Sequence, residues 1–346
     1  MPYDPIPKKP LSGFAVRPNL HDYDEMRRTF SWDAVSRELP WFDAEHINIA
    51  HAAIDAHLGT PRERKTAMIW ESKKGATEEY TFADLARLSN RFASALTGTL
   101  GARPGDRVFF FLDRVPEIYV GIIGALKAGC VIGPLFSAFG PDAVRDRLLD
   151  SEARFLVTSP ALLRKIESIL PDLPALEKIV LVDREGGGTP SGRERGIAWE
   201  RLMAGGSDRF DVVRTHREDR AVMHYTSGTT GKPKGAVHVH NAVVGHYATA
   251  KLVLDLRDDD VYWCTADPGW VTGTSYGMFG PWSNGATQAI YEGGFSARHW
   301  YSFIERRKVT VWYTAPTAIR MLMKSGDDLP KQFNLGSLRH TCSVGE

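Results

Sequence analysis

The chain has 346 residues, and its 43 lysines and arginines nearly balance 42 aspartates and glutamates, leaving a net charge of +1. No global field exists to gather nucleic acid or an anionic membrane surface, which excludes a dedicated polyanion binder. At 43% hydrophobic, 25% charged and 10% aromatic the composition is globular rather than disordered or collagen-like, and the length suits about two domains or one two-lobed α/β body.

The first ten residues are proline-rich with no apolar signal core, and the longest apolar stretch, 120–136, is interrupted by Lys127 and several glycines. Neither a secretory signal nor a membrane span is expected. Cys130, Cys264 and Cys342 are odd in number, far apart and without a CxxC pair, which argues against a disulfide framework or zinc ribbon and for a reducing cytoplasm. Residues 1–64 read as an N-terminal extension whose clearest element is an amphipathic helix over 47–58. Short β-rich runs at 66–70 and 79–82 flank Lys73-Lys74-Gly75, a hairpin signal leading into a helix that Thr81 caps with Asp84 three residues on. Leu85, Leu88, Phe92 and Leu96 then recur at helical spacing up to Gly98 and Gly101.

From 107 to 183 strands and helices alternate: strands at 107–112, 130–136, 154–158 and 178–183, with helices opening at Pro116 and Pro141 and a third at 161–170. Proline suits the first helical turn, where no backbone N–H is needed, and the continuously apolar strand cores suit burial on both faces of a parallel sheet. The glycine-rich, charged run 184–196 reads as a loop within a linker, 184–219, between a first α/β lobe at 65–183 and a second at 220–346. In the second lobe strands are expected at 220–225, 236–240, 261–265, 287–291, 309–314 and 338–343, with helices at 241–254, 297–307 and from Pro316.

The strongest chemical signal follows the strand at 220–225. Tyr225-Thr226-Ser227-Gly228-Thr229-Thr230-Gly231-Lys232-Pro233-Lys234-Gly235 combines glycines that turn backbone N–H groups inward, four hydroxyls and two lysines. That set suits a polyphosphate, each charge-assisted hydrogen bond contributing roughly 1.5–3 kcal/mol. It is not a Walker A loop, because Pro233 stands where the magnesium-binding Ser or Thr would follow Lys232. The plain alternative is a flexible hairpin loop.

This loop is the signature of the adenylate-forming enzymes, a family that includes acyl-CoA synthetases, luciferases and peptide-synthetase adenylation domains. Within it the chain most resembles the AMP-forming acetyl-CoA synthetases of compact bacterial type. The resemblance runs from about Lys65 to Glu346 through ADPGWVTG (266–273), GPWSNGAT (280–287), YTAPTAIR (313–320) and SVGE (343–346). It implies the large N-terminal α/β domain of that fold, two βαβ-type lobes with mainly parallel sheets. It also implies two steps, in which acetate attacks the ATP α-phosphorus to give acetyl-AMP and pyrophosphate, and the CoA thiol then displaces AMP. Thr226, Ser227, Gly228, Thr229, Thr230, Gly231, Lys232 and Lys234 would hold the departing phosphates. Val271, Thr272, Val344 and Gly345 would line the acyl pocket, Gly345 and Glu346 would begin the adenine turn, and Thr272 would lie near CoA. Arg184 resembles a CoA-phosphate contact in some relatives, but a solvated loop arginine is the better reading of it.

Independently of the family, the phosphate loop, the Trp270 segment and the Val344 segment each follow a predicted strand, where open α/β sheets place ligands. Taken alone, Asp267-Pro268-Gly269-Trp270 is a turn with a buried aromatic. His238 and His240 share a strand face without a third ligand nearby, and His46, His51 and His57 read as packing or surface residues. Asp258-Asp259-Asp260 reads as a solvated turn rather than a magnesium site. The family's magnesium glutamate, ribose aspartate, pocket tryptophan and mobile C-terminal domain would all follow Glu346, so no metal ligand is assigned here and the sequence is expected to be an N-terminal fragment. Thr274 stands where longer acetyl-CoA synthetases carry histidine. Propionate or a medium-chain acid stays open as the substrate, as does a nucleotide-binding piece that does not turn over alone.

Overall fold

The strand Arg107–Phe111 shows how this sequence builds the centre of the molecule. Its residues alternate between faces, so Val108 and Phe110 join one hydrophobic core and Phe109 and Phe111 the other, all four fully buried. Only a strand covered on both sides tolerates such a continuous apolar run. The computed structural model describes residues 10–186, 195–226 and 233–345. Among the described residues the strands are β1 (Thr66–Glu71), β2 (Thr77–Thr81), β3 (Arg107–Phe111), β4 (Val131–Leu135), β5 (Phe155–Thr158), β6 (Lys178–Leu181), β7 (Gly196–Ala198), β8 (Arg220–Thr226), β9 (Lys234–Val239), β10 (Val261–Cys264), β11 (Thr287–Tyr291), β12 (Val311–Thr314) and β13 (His340–Ser343).

They form two sheets, ordered β7-β6-β5-β3-β4-β8-β9 and β13-β12-β10-β11-β1-β2. Every pairing is parallel except the hairpins β1/β2 and β8/β9. Helices Phe82–Gly98 and Pro116–Lys127 bury their apolar residues in the core that also takes Met68 and Trp70 of β1 and Val108 and Phe110 of β3, and so fill the space between the sheets. The first helix starts at the expected capping box: the Asp84 N–H donates to Thr81 Oγ1 (3.0 Å) and the Thr81 N–H to Asp84 Oδ2 (3.1 Å).

The sheets do not divide the chain at 184–219 as the two-lobe reading expects. The β1/β2 hairpin pairs with β11 of the later half, and the β8/β9 hairpin pairs with β4 of the earlier half. Local apolar patterning sets that a segment is a strand, but the choice of neighbour depends on which edge can cover its buried face. The amphipathic helix expected at 47–58 is shorter, Ile49–Ala53 followed by a tight turn at Asp55–His57. Lys127, the charge that interrupts the long apolar stretch, is fully buried at the end of its helix. Its ammonium meets Asp55 Oδ1 (2.6 Å) and Asn90 Oδ1 (2.8 Å), which ties this N-terminal turn to the central layer. Burial pushes its pKa down, opposed by the Asp55 carboxylate.

Of the acidic run, Asp258 and Asp259 lie exposed in a turn as expected, whereas Asp260, like Arg184, is tied into the structure. Asp260 is buried and accepts hydrogen bonds from Arg339, from Thr310 Oγ1 (2.7 Å) and from the Arg257 N–H (2.9 Å), while Asp258 pairs with Arg62 (3.2 Å). Arg184 bridges Glu78 (2.7 Å) and Glu117 (2.8 Å) with its guanidinium 4.6 Å from the Trp70 ring, joining β2, a central helix and the loop after β6. Among the described residues no helix is long and apolar enough to cross a membrane.

Candidate active site

Parallel strands place all their carboxyl ends on one side, and the chain segments leaving β4, β10, β12 and β13 meet around a cavity of about 790 Å³. Phe136 comes from the end of β4, Thr265, Ala266 and Asp267 from β10, Thr314 and Ala315 from β12, and Val344 and Gly345 from β13. Trp270, Val271 and Thr272 close it from the turn after β10, and Thr317, Ala318 and Met321 from the helix Pro316–Met323. The four residues assigned by resemblance to the acyl pocket, Val271, Thr272, Val344 and Gly345, therefore line one space. A second cavity, about 610 Å³, is lined by Arg107, Val131 and Arg220 at the amino ends of β3, β4 and β8 and gathers none of the motif residues.

The turn 267–273 owes its shape to short-range backbone packing. The Asp267 carboxylate accepts the Gly269 N–H (2.8 Å), and the Asp267 carbonyl accepts the Trp270 N–H (2.9 Å). A Cβ on Gly269 would lie 2.2 Å from the Phe136 nitrogen, and one on Gly273 would lie 2.0 Å from the Asp267 carbonyl oxygen. Only glycine lets the turn lie flush against the end of β4 and close on itself. Trp270 is not the buried aromatic of an ordinary turn. It is 47% exposed, lies 5.6 Å and 6.1 Å from the rings of Phe136 and Phe139, and faces the cavity.

Two polar residues of this wall, Arg114 and Asp267, were given no role from sequence. Arg114, just past β3, donates to the carbonyls of Thr265 (3.2 Å) and Gly293 (2.9 Å) and so laces the end of one sheet to the other. The carboxyl-end rule applied to β3 would have found it. Burial pushes the Asp267 carboxyl up to about 6, against the Gly269 N–H and the Arg114 charge, which favour ionisation.

Of the phosphate-loop residues, Thr226 and Lys234 are described, and they face each other as the last pair of the β8/β9 hairpin. Ser227, Gly228, Thr229, Thr230, Gly231 and Lys232 lie outside the described residues, as does Glu346. Arg184 stands apart from this cavity, held by Glu78 and Glu117. Among the described residues no group of three or more His, Cys, Asp or Glu side chains is placed to hold a metal ion. His240 accepts the Ile49 N–H on Nδ1 (3.2 Å), His57 meets the Trp282 carbonyl (2.7 Å), and His51 stacks on Phe42.

Known proteins resemble this chain over most of its length. The family model described as "AMP-binding enzyme" matches residues 56–346. An acetyl-coenzyme A synthetase of Bacillus subtilis (strain 168) is 45% identical over 328 residues, covering 95% of this chain and 56% of that protein. One of Methanothrix thermoacetophila is 36% identical over 362 residues, covering 98% and 55%. The crystal structure of a Brucella canis acyl-CoA synthetase superposes with a TM-score of 0.85 at 32% identity, over 94% of this chain and 57% of that one. The chain thus spans about half the length of the curated relatives it matches. With its two mostly parallel sheets and its strand-end cavity, it belongs to the AMP-binding enzyme family.

Proposed function

We propose that this chain carries the ATP- and acyl-binding portion of an AMP-forming acetate–CoA ligase. The observation that carries the reading is the meeting of Val271, Thr272, Val344 and Gly345 in one strand-end cavity, in a chain whose relatives are named acetyl-coenzyme A synthetase. A carboxylate oxygen of acetate attacks the α-phosphorus of ATP, the bond to the bridging oxygen breaks, and acetyl-AMP and pyrophosphate form. The thiol of CoA then attacks the acetyl carbonyl and expels AMP.

The residues 226–234 orient and neutralise the departing pyrophosphate, which lowers the barrier by positioning and electrostatics rather than by covalent chemistry. Val271 and Val344 give the acyl group an apolar wall, Gly345 leads into the adenine turn with Glu346, and Thr272 stands where the thiol would approach. A CoA phosphate reaching Arg184 would have to displace Glu78 or Glu117, so that contact is the weakest part of the assignment. Magnesium would accompany ATP through ligands not assigned here, and a reducing cytoplasm suits the three free thiols.

The test is acetate-dependent exchange of pyrophosphate into ATP, run beside propionate and octanoate, with CoA-dependent release of AMP as the second step. Exchange strongest with acetate supports the reading. Exchange strongest with a longer acid moves the substrate class, and binding of ATP without exchange leaves only a nucleotide-binding unit.

A further inference from the structure

Three histidines with no part in the scheme above surround the base of the β8/β9 hairpin. His224 lies on β8 two residues before Thr226, His238 on β9, and His246 on the helix Ala242–Leu252. Their ring centroids are 6.0 Å apart for His224 and His238 and 6.3 Å for His238 and His246. Alternation along β8 sends Tyr225 to one side, where its hydroxyl donates to Asp150 (2.7 Å), and His224 to the other. There His224 Nε2 lies 2.8 Å from Oγ1 of Thr274, a residue with no solvent exposure.

The direction of this bond follows from its surroundings. The Thr274 hydroxyl has the Val271 carbonyl as an acceptor at 3.2 Å, while His224 Nδ1 is buried and has no partner among the described residues. A bare ring lone pair is cheaper to bury than an orphaned N–H, so the proton sits on Nε2. The His224 Nε2–H donates to Thr274, and Thr274 donates to Val271. Two hydrogen bonds in a low-dielectric interior thus run from the strand that leads into the phosphate loop to the backbone of an acyl-pocket residue. Beyond Thr274 the helix widens into a single π-turn, Ser275–Phe279, an irregularity found frequently at functional sites, and His246 stacks on its Phe279 (6.0 Å).

We propose that His224 is a positioning residue that, through Thr274, holds the acyl-pocket turn Trp270–Thr274 in register with β8, so that ATP occupancy tightens the acyl pocket. The proposal rests on the acyl-pocket and phosphate-loop assignments above. It is tested by amide hydrogen exchange at 270–274 with and without MgATP, in the unsubstituted protein and in Thr274→Val, Thr274→Ser, His224→Leu and His224→Gln. MgATP should slow exchange at these amides by about fivefold in the unsubstituted protein and in Thr274→Ser. His224→Gln, which keeps a side-chain N–H donor, should retain most of the effect. Thr274→Val, which keeps the shape and removes the hydroxyl, and His224→Leu should lose the effect while binding ATP as tightly. In pyrophosphate exchange Thr274→Val should raise the KM for acetate about tenfold and leave that for ATP unchanged. Protection that survives in Thr274→Val, or that MgATP never induces at 270–274, overturns the coupling, and His224→Leu decides the matter should Thr274→Val not fold. ATP-induced protection with the expected variant pattern but no acetate-dependent exchange removes the acetate reading and leaves the coupling standing.

Discussion

The layer between the two sheets and the mouth of the strand-end cavity treat the same kinds of side chain in opposite ways. In the layer, Phe92, Phe110, Phe279 and Trp282 have essentially no solvent exposure, and a fully buried lysine, Lys127, is matched by Asp55 and Asn90. At the mouth, Trp270, Val271, Met321 and Val344 are 47%, 41%, 40% and 44% exposed around one opening. Apolar groups left together in water cost roughly 25 cal/mol per Å², so a fold keeps such a patch where something else covers it. The interior is sealed and the rim is open, and the two should respond differently to pH and to substitution.

The largest expected effect is on the interior, in acid. Burial pushes His57, His240 and His246 down to about 4 and His224 to about 3, the last helped by its histidine neighbours. Unfolded histidines take up protons below about 6.5 and these folded ones do not, so stability is lost as pH falls from about 6.5 towards 4. Each contributes up to about 3 kcal/mol and the four together on the order of 10 kcal/mol, enough to unfold a typical domain. Tryptophan fluorescence against pH should show cooperative unfolding in this window, and His246→Phe should make the loss shallower. A flat stability curve down to pH 4 would contradict it.

Next comes the buried pair. Lys127→Ala leaves Asp55 buried without its cation and should cost about 3–5 kcal/mol in urea unfolding. The rim titrates with the opposite sign. Asp267 takes up its proton near 6 when folded but near 3.8 when unfolded, so its penalty is present above pH 6 and disappears as pH falls to about 4. Asp267→Asn, which keeps the acceptor for the Gly269 N–H, should therefore raise stability by up to about 3 kcal/mol at pH 7 and leave it unchanged at pH 4.

Gly269→Ala should cost about 1–3 kcal/mol in thermal unfolding, because its Cβ meets the Phe136 backbone, and should remove most acyl-dependent activity by lifting the turn. The smallest stability change is expected at the mouth. Val271→Ala should stay within about 0.5 kcal/mol of the parent while weakening acyl binding, a separation that interior substitutions cannot reproduce.

The sequence pattern anticipated the βαβ rhythm and the Thr81 capping box, because each depends on neighbours a few residues away, while the family resemblance named four residues, Val271, Thr272, Val344 and Gly345, that line one cavity. The roles of Arg114, Asp267 and His224 escaped the sequence for a different reason. None is unusual in its local sequence, and each acquires its role from partners far along the chain: Arg114 from Thr265 and Gly293, Asp267 from burial under the turn it begins, His224 from Thr274. Asp260 escaped in the same way: Asp258 and Asp259 form the exposed turn that the acidic run suggests, but Asp260 is buried against Arg339, nearly eighty residues on.

Sequence by itself determined the type and order of most elements, through apolar periodicity and the residues that turns require, and the composition of the loop at 225–235 on which the phosphate-binding proposal rests. Tertiary structure alone decided that β1 and β2 join the later strands and β8 and β9 the earlier ones. It also decided that a lysine is buried, that an aspartate titrates near neutrality and that a histidine reaches the acyl turn. The physical reason is that backbone preference is set by near neighbours, whereas burial, pairing and dielectric are set by whichever distant segment packs against a side chain.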